Sequence, residues 1–122
     1  MMKELDKEAI EMISELNDFH IAPYREDGET FGTLTWIWVV EVEGSLYVRA
    51  YNGVNSIWYK SALSQKSGKI KSNGTEFKVQ FQPVSGEIND EIDAAYKAKY
   101  YSSPYLQSMI SNRAKAATVK VF

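Results

Sequence analysis

Residues 35–63 read TWIWVVEVEGSLYVRAYNGVNSIWYKSAL, and this stretch decides the fold. Thr35–Val42 is dense in Trp, Ile and Val, whereas Ser45–Tyr51 alternates Leu46, Val48 and Ala50 with Tyr47, Arg49 and Tyr51. Both segments read as strands joined by a tight turn at Glu43–Gly44. Asn52–Asn55 follows as a short loop, Ser56 stands at an N-cap position, and a helix is predicted over Ile57–Gln65 with Gly68 as its stop.

The hairpin admits two registers, which assign its faces differently. A two-residue loop pairs Trp38 with Arg49 and Trp36 with Tyr51, giving one surface on which a cation is flanked by aromatic rings. A three-residue loop with Gly44 as a bulge instead groups Trp36 and Trp38 with Leu46, Val48 and Ala50 as an apolar core face. Glu43 resists the positive φ of the tighter turn, so the residue chemistry leans to the bulge. A one-residue slip flips every side chain, and the sequence leaves both registers open.

Outward from this unit, Leu5, Ala9, Met12, Ile13 and Leu16 recur at helical spacing, which predicts an amphipathic helix ending near Asn17–Asp18. His20–Gly32 reads as loop, punctuated by Pro23, Asp27–Gly28 and Gly32. Asn73–Gly74 is the strongest hairpin signal in the chain, between strands at Lys69–Ser72 and Thr75–Phe81. Asn89 or Asp90 is placed to cap a helix running to about Tyr100. Ser103–Pro104 opens a short helix through Met109, and Ala117–Phe122 is a final strand. With no βαβ repeat, residues 1–122 form one small α+β barrel of about five to six mainly antiparallel strands with short flanking helices.

Composition narrows the chemistry. The chain has 122 residues, no cysteine and one histidine, His20. Disulfides, thiolate metal sites and cysteine nucleophiles are excluded, and neither a His-rich metal site nor a Ser-His-Asp triad fits; no metal site is expected. The longest apolar run, Trp36–Val40, is far short of a membrane span. No charged segment followed by an apolar one opens the chain, which predicts a cytoplasmic protein.

A formal net charge of −2 conceals an asymmetry. Residues 1–30 hold nine acids against Lys3, Lys7 and Arg25, whereas residues 45–81 hold Arg49, Lys60, Lys66, Lys69, Lys71 and Lys78 against Glu76 alone. A positive central segment favours a compact anionic ligand such as a phosphate; the alternative is a solvated basic face paired with the acidic first helix. Net charge and only three arginines speak against nucleic acid as a partner.

Arg49 is the leading site candidate. It lies near a strand end, just before Tyr51-Asn52-Gly53-Val54-Asn55-Ser56 turns into a helix, where free N–H groups, two amides, a hydroxyl and a guanidinium converge. The helix end contributes only ~0.3–1 kcal/mol to holding an anion. A charge-assisted hydrogen bond contributes roughly 1.5–3 kcal/mol, so Arg49 would dominate. The competing reading is an arginine that pairs with an acid or stacks on Trp. Of Trp58 and Tyr59, one must pack on the sheet while the other is free to cover a planar ligand, because adjacent helical residues diverge by about 100°; the default reading is that both serve a core or an interface. Asp90, Glu91 and Asp93 suit a helix start rather than a metal, and Tyr96, Tyr100, Tyr101 and Tyr105 near Lys97 and Lys99 suit an interface or a ligand. Arg25 and Asp27 are weaker site candidates on the His20 loop.

Several stretches carry a family resemblance: His20–Gly28, Thr35–Val40, Leu46–Gly53, Trp58–Lys60, Ile92–Tyr100 and Ala116–Val119. Together they resemble the bacterial proteins of domain-of-unknown-function family 2255 over nearly the whole chain. The strand order of that family resembles the split β-barrels that bind FMN or the deazaflavin F420, usually as homodimers. The resemblance implies a homodimeric split barrel that binds a phosphate-bearing cofactor, with oxidoreductase chemistry as one consequence. The cofactor-binding set would be Arg49, Tyr51, Asn52, Gly53, Asn55, Ser56, Trp58 and Lys60. The alternative is a dimeric binding module without a cofactor or enzymatic activity.

Overall fold

The turn at Glu43–Gly44 takes the tighter form. A computed structural model describes residues 2–122 and pairs Val42 with Ser45, Glu41 with Leu46, Val40 with Tyr47 and Val39 with Val48. Glu43 has φ +52° and Gly44 φ +84°, the two positive values of a type I′ turn. The bulged register is therefore overturned. Left-handed backbone at Glu43 costs roughly 1–2 kcal/mol, and the Gly44 N–H donates locally to the Glu41 carboxylate. The larger reason is packing: Val39, Leu46 and Val48 enter one core, while Val40, Val42 and Tyr47 enter another. A slip would exchange these sets.

The elements are β1 (Lys3–Glu4), α1 (Lys7–Glu15), β2 (His20–Pro23), β3 (Thr35–Trp36), β4 (Val39–Val42), β5 (Ser45–Arg49), a 3-10 turn (Gly53–Asn55), α2 (Ile57–Gln65), β6 (Ser67–Ser72), β7 (Thr75–Pro83), α3 (Ile88–Lys99), α4 (Leu106–Met109), α5 (Asn112–Lys115) and β8 (Thr118–Val121). The sheet has eight strands in the order β3-β2-β6-β7-β8-β5-β4, with β1 alone pairing in parallel, against β7. This is an α+β fold with a curled, mainly antiparallel sheet, consistent with a split barrel. Its curl follows from connectivity. The two ends of the strand path, β3 and β4, are consecutive in sequence and separated only by Ile37 and Trp38. That dipeptide bridges the seam.

Several expectations change; α3 begins at Ile88 with Glu87 at its N-cap, so Asn89 and Asp90 lie inside the helix rather than capping it. Thr35–Val42 is two strands rather than one, because β3 pairs with β2 while β4 pairs with β5. His20–Pro23, expected as loop, is an inner strand between β3 and β6. Gly68 does not stop α2: Lys66 does, with φ +62°, and Gly68 sits within β6. The boundaries of α2 are those expected, but the Ser56 side chain makes no capping bond. Asn73 and Gly74 form the expected hairpin turn, with φ +52° and +76°.

Two cores share the sheet. Ile13 of α1, Phe19, Ile21, Leu46, Val48, Ile70, Phe77 and Val119 fill the concave side with Trp58 and Tyr59 of α2. On the other side α3 lays Ile92, Tyr96 and Tyr100 over Trp38, Val40, Val42 and Tyr47. Asp6 caps α1 by accepting the Ala9 N–H at 2.9 Å, which fixes where that helix starts.

Candidate functional site

Arg49 ends β5 directly opposite Thr118 of β8. Its side chain is fully buried. Nε donates to Thr118 Oγ1 at 3.0 Å, Nη1 to the Asp93 carboxylate and to the Met109 carbonyl at 3.2 Å, and Nη2 to Asn89 Oδ1 at 2.9 Å and the Asn89 carbonyl at 3.4 Å. Those five bonds match the five N–H donors of a guanidinium. The Tyr96 ring lies under it, 5.4 Å from centroid to Cζ. The side chain expected to anchor a ligand phosphate is thus committed to holding α3, α4 and β8 against β5. The reading in which Arg49 pairs with an acid is the one the geometry bears out.

Asp93 is the other half of this network, held by Arg49 and by Lys115 Nζ at 2.9 Å. Its carboxylate therefore does more than place a favourable charge near a helix start. Desolvation raises its pKa, but the hydrogen bonds from Lys115 and Arg49 outweigh it, so the carboxyl titrates below its usual value. A depressed folded-state pKa gives stability that is fully present above the unfolded value and is lost as pH falls through the folded one. Denaturation midpoints should therefore fall as pH drops below the ordinary carboxylate range. Asp93→Asn should flatten that slope in urea titrations at a series of acid pH values, while lowering stability near neutrality.

Two cavities flank the seam, and both are lined by Trp36, Ile37 and Tyr51. One, of about 780 Å³, gathers Tyr51, Asn52, Asn55, Ser56 and Trp58 from the expected set, with Arg25 on the opposing loop. Asp27 shapes that loop. The backbone N–H and hydroxyl of Thr30, together with the Glu29 N–H, bond its carboxylate and hold its pKa down to about 2. Gly53 lies below the cavity surface with φ +72°, where a Cβ would meet Arg113 Cγ at 2.7 Å. Arg113 in turn donates from Nε to the Tyr51 carbonyl at 3.0 Å and covers the Tyr51 ring. Lys60 is exposed and lines neither cavity.

The other cavity, of about 720 Å³, opens toward α3 and α4 and is lined by Trp38, Lys99, Tyr100, Tyr105 and Met109 as well as Arg49 and Glu15. Trp38 stacks on Tyr100 with centroids 4.0 Å apart and planes 5° apart. Trp36 is half-exposed, its ring fixed by an Nε1–H bond to the Asn17 carbonyl at 3.1 Å. Sequence reasoning gives Lys99 only as a neighbour of the tyrosine cluster and not as a site residue, yet it lines this cavity. The available signal was its place among four tyrosines at a helix C-terminus. His20 lies in β2, 3.5 Å from Asp18, and lines neither cavity. Among the described residues no three His, Asp or Glu side chains are grouped to hold a metal, and no helix is long and apolar enough to cross a membrane.

No curated protein and no solved structure matches the chain. A family model described as "Uncharacterized protein conserved in bacteria (DUF2255)" matches residues 9–121. With nearly its whole length matched, fold and site residues included, the chain belongs to that bacterial family.

Proposed function

We propose that the chain binds a planar, phosphate-bearing small molecule of the FMN or F420 class in the cavity at the start of α2, acting as a homodimer. The observation that carries this reading is the convergence of Tyr51, Asn52, Asn55, Ser56 and Trp58 on a 780 Å³ space that Arg25 also lines. The first intrahelical donor of α2 is the Lys60 N–H, bonded to the Ser56 carbonyl. The N–H groups of Ile57, Trp58 and Tyr59 have no intrahelical acceptor and suit an anion. Neither Asn52 nor Ser56 uses its side chain as a cap. With Arg49 committed elsewhere, Arg25 supplies the cation. Trp36 and Tyr51 offer half-exposed ring faces to a planar ligand.

A flavin or deazaflavin bound there would supply hydride chemistry; the chain's residues would hold the phosphate, stack on the ring and limit water. Val54 and Ile57 are exposed apolar side chains beside the same loop, the kind of surface that a second copy covers. The test is native purification, near-ultraviolet and blue absorbance, then titration with FMN and with F420 followed by tryptophan fluorescence. We expect saturable quenching that Arg25→Ala and Asn55→Ala weaken, and a dimer by sedimentation. Absence of both chromophore and titration response removes the cofactor reading. It would leave a cofactor-free dimeric module, which the internal use of Arg49 favours.

A further inference from the structure

We propose that the 720 Å³ cavity beside α3 is a separate binding site for a small aromatic monocarboxylate, with Lys99 as its cationic anchor. Lys99 is the last residue of α3 and is half-buried in the cavity wall. Its Nζ donates to the Val39 carbonyl at 2.8 Å and lies 5.3 Å from the centroid of the Tyr100 ring. Among the described residues it makes no ion pair, whereas Arg49 and Lys115 share Asp93 and Lys69 holds Glu76. An ammonium has three donors, so two remain for a ligand. A half-buried cation lacking a carboxylate partner is an uncompensated charge that an anion in the cavity would neutralise.

The remaining wall selects the body of that ligand. The Trp38–Tyr100 stack lines the cavity. Tyr51 and Tyr105 meet edge to face at 6.2 Å on another side, and the Trp36 ring is held in place by Asn17. A space of this size lies within the range of roughly 300–1,000 Å³ typical of small-molecule pockets. Glu15 lines the same cavity, and its carboxylate repels a second negative charge. A single carboxylate at the α3 end is therefore favoured over a phosphate. The site shares Trp36, Ile37 and Tyr51 with the cavity at α2, but its cationic anchor, Lys99, belongs to it alone.

Burial pushes the Lys99 ammonium down to about 8, so it is mostly protonated at neutral pH and loses its charge above that value. Glu15 from α1 and Tyr51 and Tyr105 from the flanking loops line the same space, as does Arg49 from β5, which is fully buried with its donors committed to Thr118, Asp93, Met109 and Asn89. Desolvation raises Tyr100 to about 12, so it keeps its proton over this interval. Affinity for the acid should therefore fall as pH rises through the Lys99 value.

The experiment is calorimetric titration of the full chain, without added cofactor, with phenylacetate and with its uncharged amide. We expect the acid to bind at least about tenfold more tightly than the amide, as one charge-assisted hydrogen bond implies. Lys99→Met should abolish that preference. Lys99→Arg should retain part of it and lose the decline at alkaline pH. Equal binding of acid and amide to the wild-type chain overturns the proposal, as does absence of heat with either. So does unchanged acid affinity in a Lys99→Met protein that melts like the wild type. A silent FMN or F420 titration bears on the α2 cavity alone.

Discussion

Arg49→Ala is expected to destabilise the chain by about 2–5 kcal/mol, the range for emptying the site of a large buried side chain. Arg49 is among the largest fully buried side chains. Its loss leaves a void between β5 and α3 and removes the donors from Asn89, Met109 and part of Asp93. Lys115 still holds Asp93, so the carboxylate is not stranded, and the loss falls chiefly on the void and the unmet acceptors. Arg49→Lys should recover little, because one point charge does not reproduce five donors in a planar fork. Urea denaturation followed by circular dichroism measures both. A loss below about 1 kcal/mol, accompanied by loss of ligand affinity, would return Arg49 to the role of phosphate anchor.

Gly68→Ala should be nearly as severe for a different reason. A Cβ there would stand 2.6 Å from both the Ala22 carbonyl oxygen and Pro23 Cα, and 3.0 Å from the Phe81 ring. Two of these obstacles are backbone of the strand that pairs with Gly68, so no rotamer change relieves them. The expected loss is about 1–3 kcal/mol, with overpacking at rigid backbone toward the upper end. Amide hydrogen exchange should localise it to β2 and β6. Gly32→Ala is the control: its nearest contact is the Pro23 carbonyl at 3.4 Å and its φ is not left-handed. A Gly68→Ala chain as stable as Gly32→Ala would mean that β2 is not packed as described.

Much of the fold was legible wherever one local rule acted alone. Asn73–Gly74 made its hairpin because both residues accept positive φ. The α2 boundaries at Ile57 and Gln65 and the first helix followed from apolar spacing and loop chemistry. The inner strand β2 was hidden because Pro23, Asp27–Gly28 and Gly32 read as punctuation of one loop. Pro23 is tolerated at the strand's last position, where its missing N–H removes little from the ladder. The register of Glu43–Gly44 was illegible because β4 is buried on both faces, with Val39, Val40 and Val42 all covered. Alternation then carries no information about which face is which.

The candidate site divides along the same line. Tyr51, Asn52, Asn55, Ser56 and Trp58 line one cavity together because a loop entering a helix keeps them within a few residues of sequence. Arg49 was singled out as the leading anchor for a ligand, but the partners it uses, Asn89, Asp93, Met109 and Thr118, lie 40 to 69 residues away. Whether a guanidinium faces a ligand or an internal acid depends on which helix packs over it. By itself the sequence determined a small α+β barrel and the loop–helix unit that lines one cavity. Only the tertiary structure decided that Thr35–Val42 breaks at Ile37–Trp38 to bridge the seam, that Arg49 is locked beneath α3, and that Lys99 faces an aromatic cavity without a carboxylate partner. Backbone propensity and spacing act within a few residues, whereas charge pairing and cavity formation are set by contacts between distant segments.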